Sequence, residues 1–409
     1  MFNPSFYIGR NINAEVVSNS ASGGIVSLVA EHIIDSGGIV YGATFDASLL
    51  SVHHIRITSK DDLGKIRKSK YVWSDIRCIL SSIEGDLKGG EQVLFIGTPC
   101  QTATLKKRFN TYNNLLILDI FCHGTIQPEI FTQYLKGLNA QIENVDFRHP
   151  SESGKHNFVF SIEDKENKKI VHNDYGKDLI TSLFISSAGL RSSCFSCLYC
   201  NKTHCSCITV GDVEFEELAA KYGYSKYHLS FIAINNEIGA QIFSKIINQL
   251  DCAELKSEDK FVNFYYRDRG QSEEPWGYNK ALKNQFDIDL KNYGLETAFF
   301  NSVHFYNKKF LSKIHSLTEK TSFYIYGCGA MGSQIFECAT HFFSDWEIKG
   351  FLTTKKTAET KDKLPVYEFS DDFNVRRDSF IIVGATGCNK EEIYRILNSH
   401  GYIEGVDYL

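Results

Sequence analysis

With 409 residues, 23% of them charged, and a net charge of -5, the chain exceeds one ordinary core and has the make-up of a globular protein of two or three domains. The small negative balance removes any electrostatic reason to expect nucleic acid. The N-terminus MFNPSFYIGRN lacks the layout of an export signal, and Glu31, His32 and Asp35 interrupt the most apolar early stretch, so a cytoplasmic protein without membrane insertion is expected.

In chain order, the first informative element is NSASGGIVSLVAEHII, a glycine-bearing polar loop entering an amphipathic helix. Ile25, Leu28, Val29, His32 and Ile33 share one face at helical spacing. Ser20 or Ser22 is expected to cap this helix, while Gly23 and Gly24 let a ligand approach the backbone. A helix start of this kind offers N–H groups and a positive dipole end to a phosphate, although a well-capped core helix explains the same pattern.

Two later segments share one design. EQVLFIGTPCQ reads as an apolar strand over about 93–96 that enters Gly97, Thr98, Pro99 and Cys100, with the helical TATLKKRF behind it. NNLLILDIFCHG is a second apolar strand, ending at Cys122, His123 and Gly124. Continuous apolar runs predict parallel strands buried on both faces, and open α/β sheets gather ligands at the turns that follow. Thr98, Cys100, Cys122 and His123 are therefore expected to line a cleft, with Cys100 made reactive by its helix N-terminus.

CFSCLYCNKTHCSC, from Cys194 to Cys207, holds five of the twelve cysteines. In a reducing compartment such a group binds metal or does redox chemistry rather than forming disulfides. Cys194, Cys197 and Cys200 open like a ferredoxin-type iron–sulfur site, with Cys205 or Cys207 as the fourth ligand. His204 among the thiols keeps a structural zinc site open. The seven scattered cysteines read as small buried hydrophobes.

The C-terminal part is a different unit. SFYIYGCGAMG is a strand entering G-x-G-x-x-G at Gly327, Gly329 and Gly332. The helix SQIFECATHFF, the strands IKGFLTT and DSFIIVGATG, and the helix KEEIYRILNSHGY complete an alternating pattern that predicts a small doubly wound sheet. Thr353 and Thr354 stand where a ribose-binding acid would close the second strand, and roughly ninety residues are too few for a full dinucleotide fold. Nucleotide-sugar binding or a purely structural role is expected there in place of NAD binding.

The succession SASGGI, KSKYVWSD, GTPCQTATLKK, DIFCHG, VDFR and LRSSCFSC…ITVGD, over roughly Pro4 to Leu290, resembles the coenzyme F420 hydrogenase/dehydrogenase beta-subunit family. The resemblance implies an α/β flavin and iron–sulfur oxidoreductase core over residues 1–293, with its cluster loop at about 190–213. A connecting segment over 294–320 and a Rossmann-like domain over 321–409 would follow. It implies FAD and a [4Fe–4S] cluster as cofactors. Ser22, Gly23 and Gly24 would hold the flavin's phosphate end, and Lys70 and Tyr71 would line the flavin site. Thr98, Pro99, Cys100, Gln101, Cys122, His123 and Gly124 would border the flavin ring or substrate pocket. Lys70, His123 and Cys100 are the catalytic candidates, the first two as proton donors or anion stabilisers. Arg148 of VDFR would bind an acidic substrate group or form an ordinary surface salt bridge.

Cys194 and Cys197 match the family's C-x-x-C, and Gly211 and Asp212 its following GD. There are departures. No cysteine precedes Cys78, so one cluster is expected, with electrons entering from a separate donor such as ferredoxin or directly through the flavin, and the tryptophan after GD is absent. Cys200, Cys205 and Cys207 are not general in the family, which leaves the fourth ligand open. The expected activity is electron relay through cluster and FAD to a small molecule, such as a nucleotide-linked sugar or glycan precursor of polysaccharide biosynthesis. A coenzyme F420-dependent oxidoreductase subunit and a zinc-stapled, non-catalytic scaffold of a glycan-assembly complex are the alternatives. Self-association is left open.

Overall fold

The apolar runs of the first half become the middle of an eight-stranded sheet. In the computed structural model, residues 2–152, 159–174, 178–199, 204–256, 262, 283–284, 286–304, 322–329, 332–333, 335–336, 347–370, 379–385 and 387–408 are described. The chain divides into two units, Met1–Phe299 and Phe300–Leu409.

The first unit contributes β1 (Ser5–Asn11), β2 (Ile39–Asp46), β3 (Ser51–Ile57), β4 (Val93–Gly97), β5 (Leu115–Ile120), β6 (Ile142–His149), β7 (Val159–Asp164), β8 (Lys169–Asp174), β9 (Ile208–Asp212), β10 (Ser230–Ile234) and β11 (Leu250–Leu255). The large sheet has the order β11-β1-β10-β9-β5-β4-β2-β3, and β6, β7 and β8 form a small antiparallel sheet of their own. β2, β4, β5 and β9 are mutually parallel, which for β4 and β5 is what their apolar runs predicted. Successive residues of these strands feed opposite cores. Val40, Leu94 and Leu116 pack beneath the helix Ile25–Asp35, whereas Ile39, Tyr41, Val93 and Phe95 pack with Ile83 and Leu87 of the helix Leu80–Lys88. Each fully buried aliphatic or aromatic side chain stabilises this arrangement by about 1.5–3 kcal/mol.

One charge sits inside the sheet. Asp119 of β5 is fully buried, and its carboxylate accepts from Ser206 Oγ at 2.8 Å and Thr209 Oγ1 at 2.5 Å, with His204 Nδ1 at 3.2 Å. Asn235 Nδ2 donates to the same two hydroxyls, so the end of the cysteine-rich segment is tied to the sheet centre by a satisfied polar network. The helix Glu237–Ile246 lies close against this segment, and a Cβ at Gly239 would stand 2.1 Å from the Cys207 carbonyl oxygen. Gly239→Ala is expected to destabilise the unit by about 1–3 kcal/mol through forced backbone separation, measured as a lowered thermal midpoint.

The second unit carries β12 (Ser322–Tyr326), β13 (Glu347–Thr353), β14 (Thr360–Lys361), β15 (Leu364–Glu368) and β16 (Ser379–Val383) in the order β14-β15-β13-β12-β16. β12, β13, β15 and β16 are parallel, with β14 antiparallel at the edge. The helix Gly387–Ser399 follows β16 as read from the sequence. Most of the expected helix SQIFECATHFF, and most of 257–320, lie outside the described residues. Gly327 adopts φ +128°, and a Cβ at Gly332 would stand 1.9 Å from its carbonyl oxygen, so these glycines serve the tight strand-to-helix turn. Tyr326 Oη meets Thr354 Oγ1 at 3.2 Å, which occupies the threonine at the end of the second strand. Among the described residues no helix is long and apolar enough to cross a membrane.

Candidate active site

A cavity of about 1100 Å³ opens in the first unit at the carboxyl ends of the parallel strands. Gly97 and Thr98 after β4, Ile120 to Gly124 after β5, and Val210 to Glu214 around the end of β9 form one side of it. Ligands of open α/β sheets collect at such strand ends, where the turns diverge. The start of the helix Ile25–Asp35 and the segment 66–72 form further walls.

That helix start differs from the expected cap. The cap position is Gly24 at φ +76°, with no side-chain hydrogen bond to the first turn. Ser20 Oγ instead donates to the Val16 carbonyl, and Ser22 Oγ pairs with Ser230 Oγ at 2.8 Å. Ser22, Gly24, Ile25 and Ser27 all line the cavity. Gly23 does not. A Cβ there would lie 2.4 Å from the Gly9 carbonyl oxygen, so this glycine lets the loop press on β1 rather than letting a ligand approach.

Lys70 and Tyr71 also line the cavity. The Lys70 ammonium donates to the carbonyls of Arg67, Lys65 and Lys68, at 2.5, 3.3 and 3.4 Å. Burial pushes its pKa down to about 7, with Asp146 opposing the shift and Lys68 adding to it. Arg148 is buried and is not a surface salt bridge. Its Nη1 donates to Tyr71 Oη at 2.9 Å and Asp212 Oδ2 at 2.8 Å, and its Nη2 donates to the Ala21 carbonyl at 2.6 Å. Tyr71 and Asp212 hold its charge against the desolvation that opposes it. One guanidinium thus ties β6, the end of β9 and the glycine loop together. At the cavity mouth His123 Nε2 stands 3.4 Å from Glu214 Oε1, both partly exposed.

The turn Thr98–Gln101 is held from inside. Gln101 Oε1 accepts from Thr98 N at 2.9 Å and from Thr98 Oγ1 at 3.0 Å, while its Nε2 donates to the Ser74 carbonyl at 2.6 Å. Ser74 Oγ pairs with His54 Nδ1 at 2.7 Å, and His54 Nε2 meets the Ile96 carbonyl at 3.0 Å, the distribution of a neutral ring. Burial pushes the His54 pKa down to about 4 in agreement. Thr98, Gln101, Cys122, His123 and Gly124 line the cavity, whereas Pro99 and Cys100 lie behind its wall.

The fold brings two further cysteines, Cys100 and Cys122, beside Cys194 and Cys197. Cys100 and Cys122 follow adjacent parallel strands, where Gly97 of β4 pairs with Asp119 of β5. Segment 125–127 pairs with 189–191 through Arg191 N to Thr125 O at 3.0 Å and Gln127 N to Gly189 O at 3.1 Å. The short helix Ser192–Ser196 follows at once and brings Cys194 and Cys197 to the same corner. Cys194 feels the charges of Cys122 and Cys100, and Cys100 those of Cys122 and Cys197. Burial, opposed by Thr125 and reinforced by those neighbours, pushes the Cys194 thiol up to about 11. Cys205 and Cys207 do not act on either thiol. Cys207 is buried where β9 begins, its N–H donating to the Ile117 carbonyl, and the Cys205 carbonyl accepts from Lys106 Nζ at 3.1 Å. Cys200 lies outside the described residues, and among those described no group of three or more His, Cys, Asp or Glu side chains is placed to hold a single metal ion.

Comparison with known proteins bears on the same region. Residues 90–260 match the family of C-terminal regions of coenzyme F420 hydrogenase/dehydrogenase beta subunits. This segment contains Cys100, Cys122, Cys194 and Cys197 and strands β4 to β11. No curated relative matches. Among solved structures, the F420-reducing [NiFe] hydrogenase complex of Methanosarcina barkeri is similar at 13% identity and a TM-score of 0.45, covering 70% of this chain and 94% of that one.

Proposed function

We propose, on the premise that residues 90–260 are of the F420 hydrogenase/dehydrogenase beta-subunit type, that this protein is an iron–sulfur flavoprotein oxidoreductase. The observation that carries the reading is the convergence of Cys100, Cys122, Cys194 and Cys197 beside a large cavity at the strand ends. Four cysteines from two strand turns and one C-x-x-C suit a [4Fe–4S] cluster, so the donor set fits the group. When bound, the cluster would exchange single electrons and the flavin would couple them to two-electron chemistry.

The protein's own groups have separable roles. The start of the helix Ile25–Asp35, with a glycine at its cap position, and Lys70 supply the positive side of the cavity, suited to the phosphates of FAD or of an anionic substrate. Arg148 holds the Ala21 carbonyl and hence the glycine loop in place. His123, oriented by Glu214, is the group at the mouth able to exchange a proton with a substrate. The narrower readings are a ferredoxin-like donor and a nucleotide-linked sugar or glycan precursor as substrate. The cationic wall supports an anionic ligand of that class.

The test is anaerobic purification with iron, sulfide, zinc and flavin quantified, and spectra before and after dithionite. About four irons and four sulfides with one flavin per chain is the expected result. One zinc per chain without flavin would overturn it in favour of a stapled scaffold.

Lys70 makes this reading pH-dependent. Its folded pKa of about 7 lies below the usual lysine value of 10.5, so its charge is present below neutral pH and lost as pH rises through 7. Affinity for a phosphate-bearing ligand is expected to fall by about tenfold between pH 6 and pH 8, the effect of losing one nearby positive charge. Lys70→Met should flatten that dependence in a fluorescence titration.

A further inference from the structure

Seven described arginines lie in the first unit, and six of them face carboxylates. Arg10 pairs with Asp251, Arg56 with Asp86, Arg67 with Glu31, Arg77 with Asp75, Arg108 with Glu84 and Arg148 with Asp212. Arg191 is the exception. Among the described residues no carboxylate pairs with it, and its guanidinium carbon instead lies 4.1 Å from the centroid of the Trp73 ring. Stacking of this kind fixes a guanidinium without neutralising it.

Its backbone is held as firmly. Arg191 N donates to the Thr125 carbonyl at 3.0 Å, and its own carbonyl accepts from Cys194 N at 2.9 Å. Trp73 N donates to the Ile126 carbonyl at 3.1 Å, so ring and guanidinium are positioned from the same short ladder. That ladder lies between Cys122 on one strand and Cys194 on the other. The cation, without a carboxylate partner among the described residues, therefore stands at the thiol corner, its backbone carbonyl bonded to the Cys194 N–H.

We propose that Arg191, clamped on Trp73, is a fixed cation of the thiol site and raises the reduction potential of the iron–sulfur centre bound there. The inference rests on the iron–sulfur reading above. A centre held by four thiolates is anionic, and reduction by one electron from an external donor makes it more so. A nearby positive charge stabilises the reduced form more than the oxidised one, and net charge is among the quantities that set such potentials. Arg191 thus acts on the centre by its charge and need not touch the substrate.

The test is a dithionite titration of the iron-loaded protein, followed by electron paramagnetic resonance at fixed pH, on wild type, Arg191→Gln and Arg191→Lys. Arg191→Gln, with iron and sulfide content unchanged, is expected to lower the reduced-to-oxidised ratio at a given potential at least tenfold, or about 59 mV for one electron. Arg191→Lys should retain more than half of the wild-type position. An unchanged midpoint in a fully loaded Arg191→Gln protein would overturn the proposal. If that variant fails to hold iron, Trp73→Leu keeps the charge but removes its platform. A lowered midpoint there supports the role, and an unchanged one overturns it. Absence of iron from the wild type would instead strike the functional reading itself, and metal analysis separates the two failures.

Discussion

Cys122→Ser is expected to cut the iron content of anaerobically reconstituted protein by at least about tenfold, while Cys205→Ser leaves it near the wild-type level. The contrast follows from position. Cys122 shares a corner with Cys100, Cys194 and Cys197, whereas Cys205 presents its carbonyl to Lys106 and its thiol does not act on that group. Serine keeps the size of the side chain and removes the soft sulfur that iron prefers. Colorimetric iron and sulfide assays, with circular dichroism to verify the fold, decide the matter. Equal loss in both variants would return the fourth ligand to the C-terminal half of the cysteine run.

Arg148→Leu is the second large effect. Removing the guanidinium deletes three hydrogen bonds at once, to Asp212 Oδ2, Tyr71 Oη and the Ala21 carbonyl. Breaking a buried pair by deleting one partner costs about 3–5 kcal/mol, and the partial exposure of Asp212 places this case near 3. The loss should appear as a lower urea midpoint and, on the flavoprotein reading proposed above, as less flavin retained per chain. Arg148→Lys should recover only part of either, because one ammonium does not span three acceptors on three segments.

Much of the frame is legible in the sequence because it is written in periodicity. The runs VLFIG and LLILDI suggest buried parallel strands with ligand-gathering turns behind them, and β4 and β5 do pair in parallel. The cysteine spacing is legible too, but it points within the run, because a local pattern carries no information about distant strands. Cys100 and Cys122 read as cleft residues, and only the pairing of 125–127 with 189–191 brings them beside Cys194 and Cys197. Gly23 misleads for a related reason. A glycine that admits a ligand and one that admits a neighbouring strand look alike until the neighbour is known. Asp119 does leave a signal, a lone carboxylate inside an apolar strand, which demands partners of the kind His204, Ser206 and Thr209 provide. His54 and Arg191 leave none, since their roles depend on Ser74 and Trp73 across the fold.

Val72, Ile126 and Leu190 form a three-rung crossing, Val72 bridging in parallel and Leu190 antiparallel to Ile126, all three buried. Lys70 and Tyr71 of the cavity wall precede the first rung, Cys122 precedes the second, and Cys194 follows the third. The crossing gives ordering at one end a direct physical route to the other. By reciprocity of linked equilibria, whatever the cavity ligand adds to retention of the thiol-bound centre, the centre adds equally to retention of the ligand. Chains stripped of one should therefore shed the other more readily, and the two should be lost and regained together during maturation.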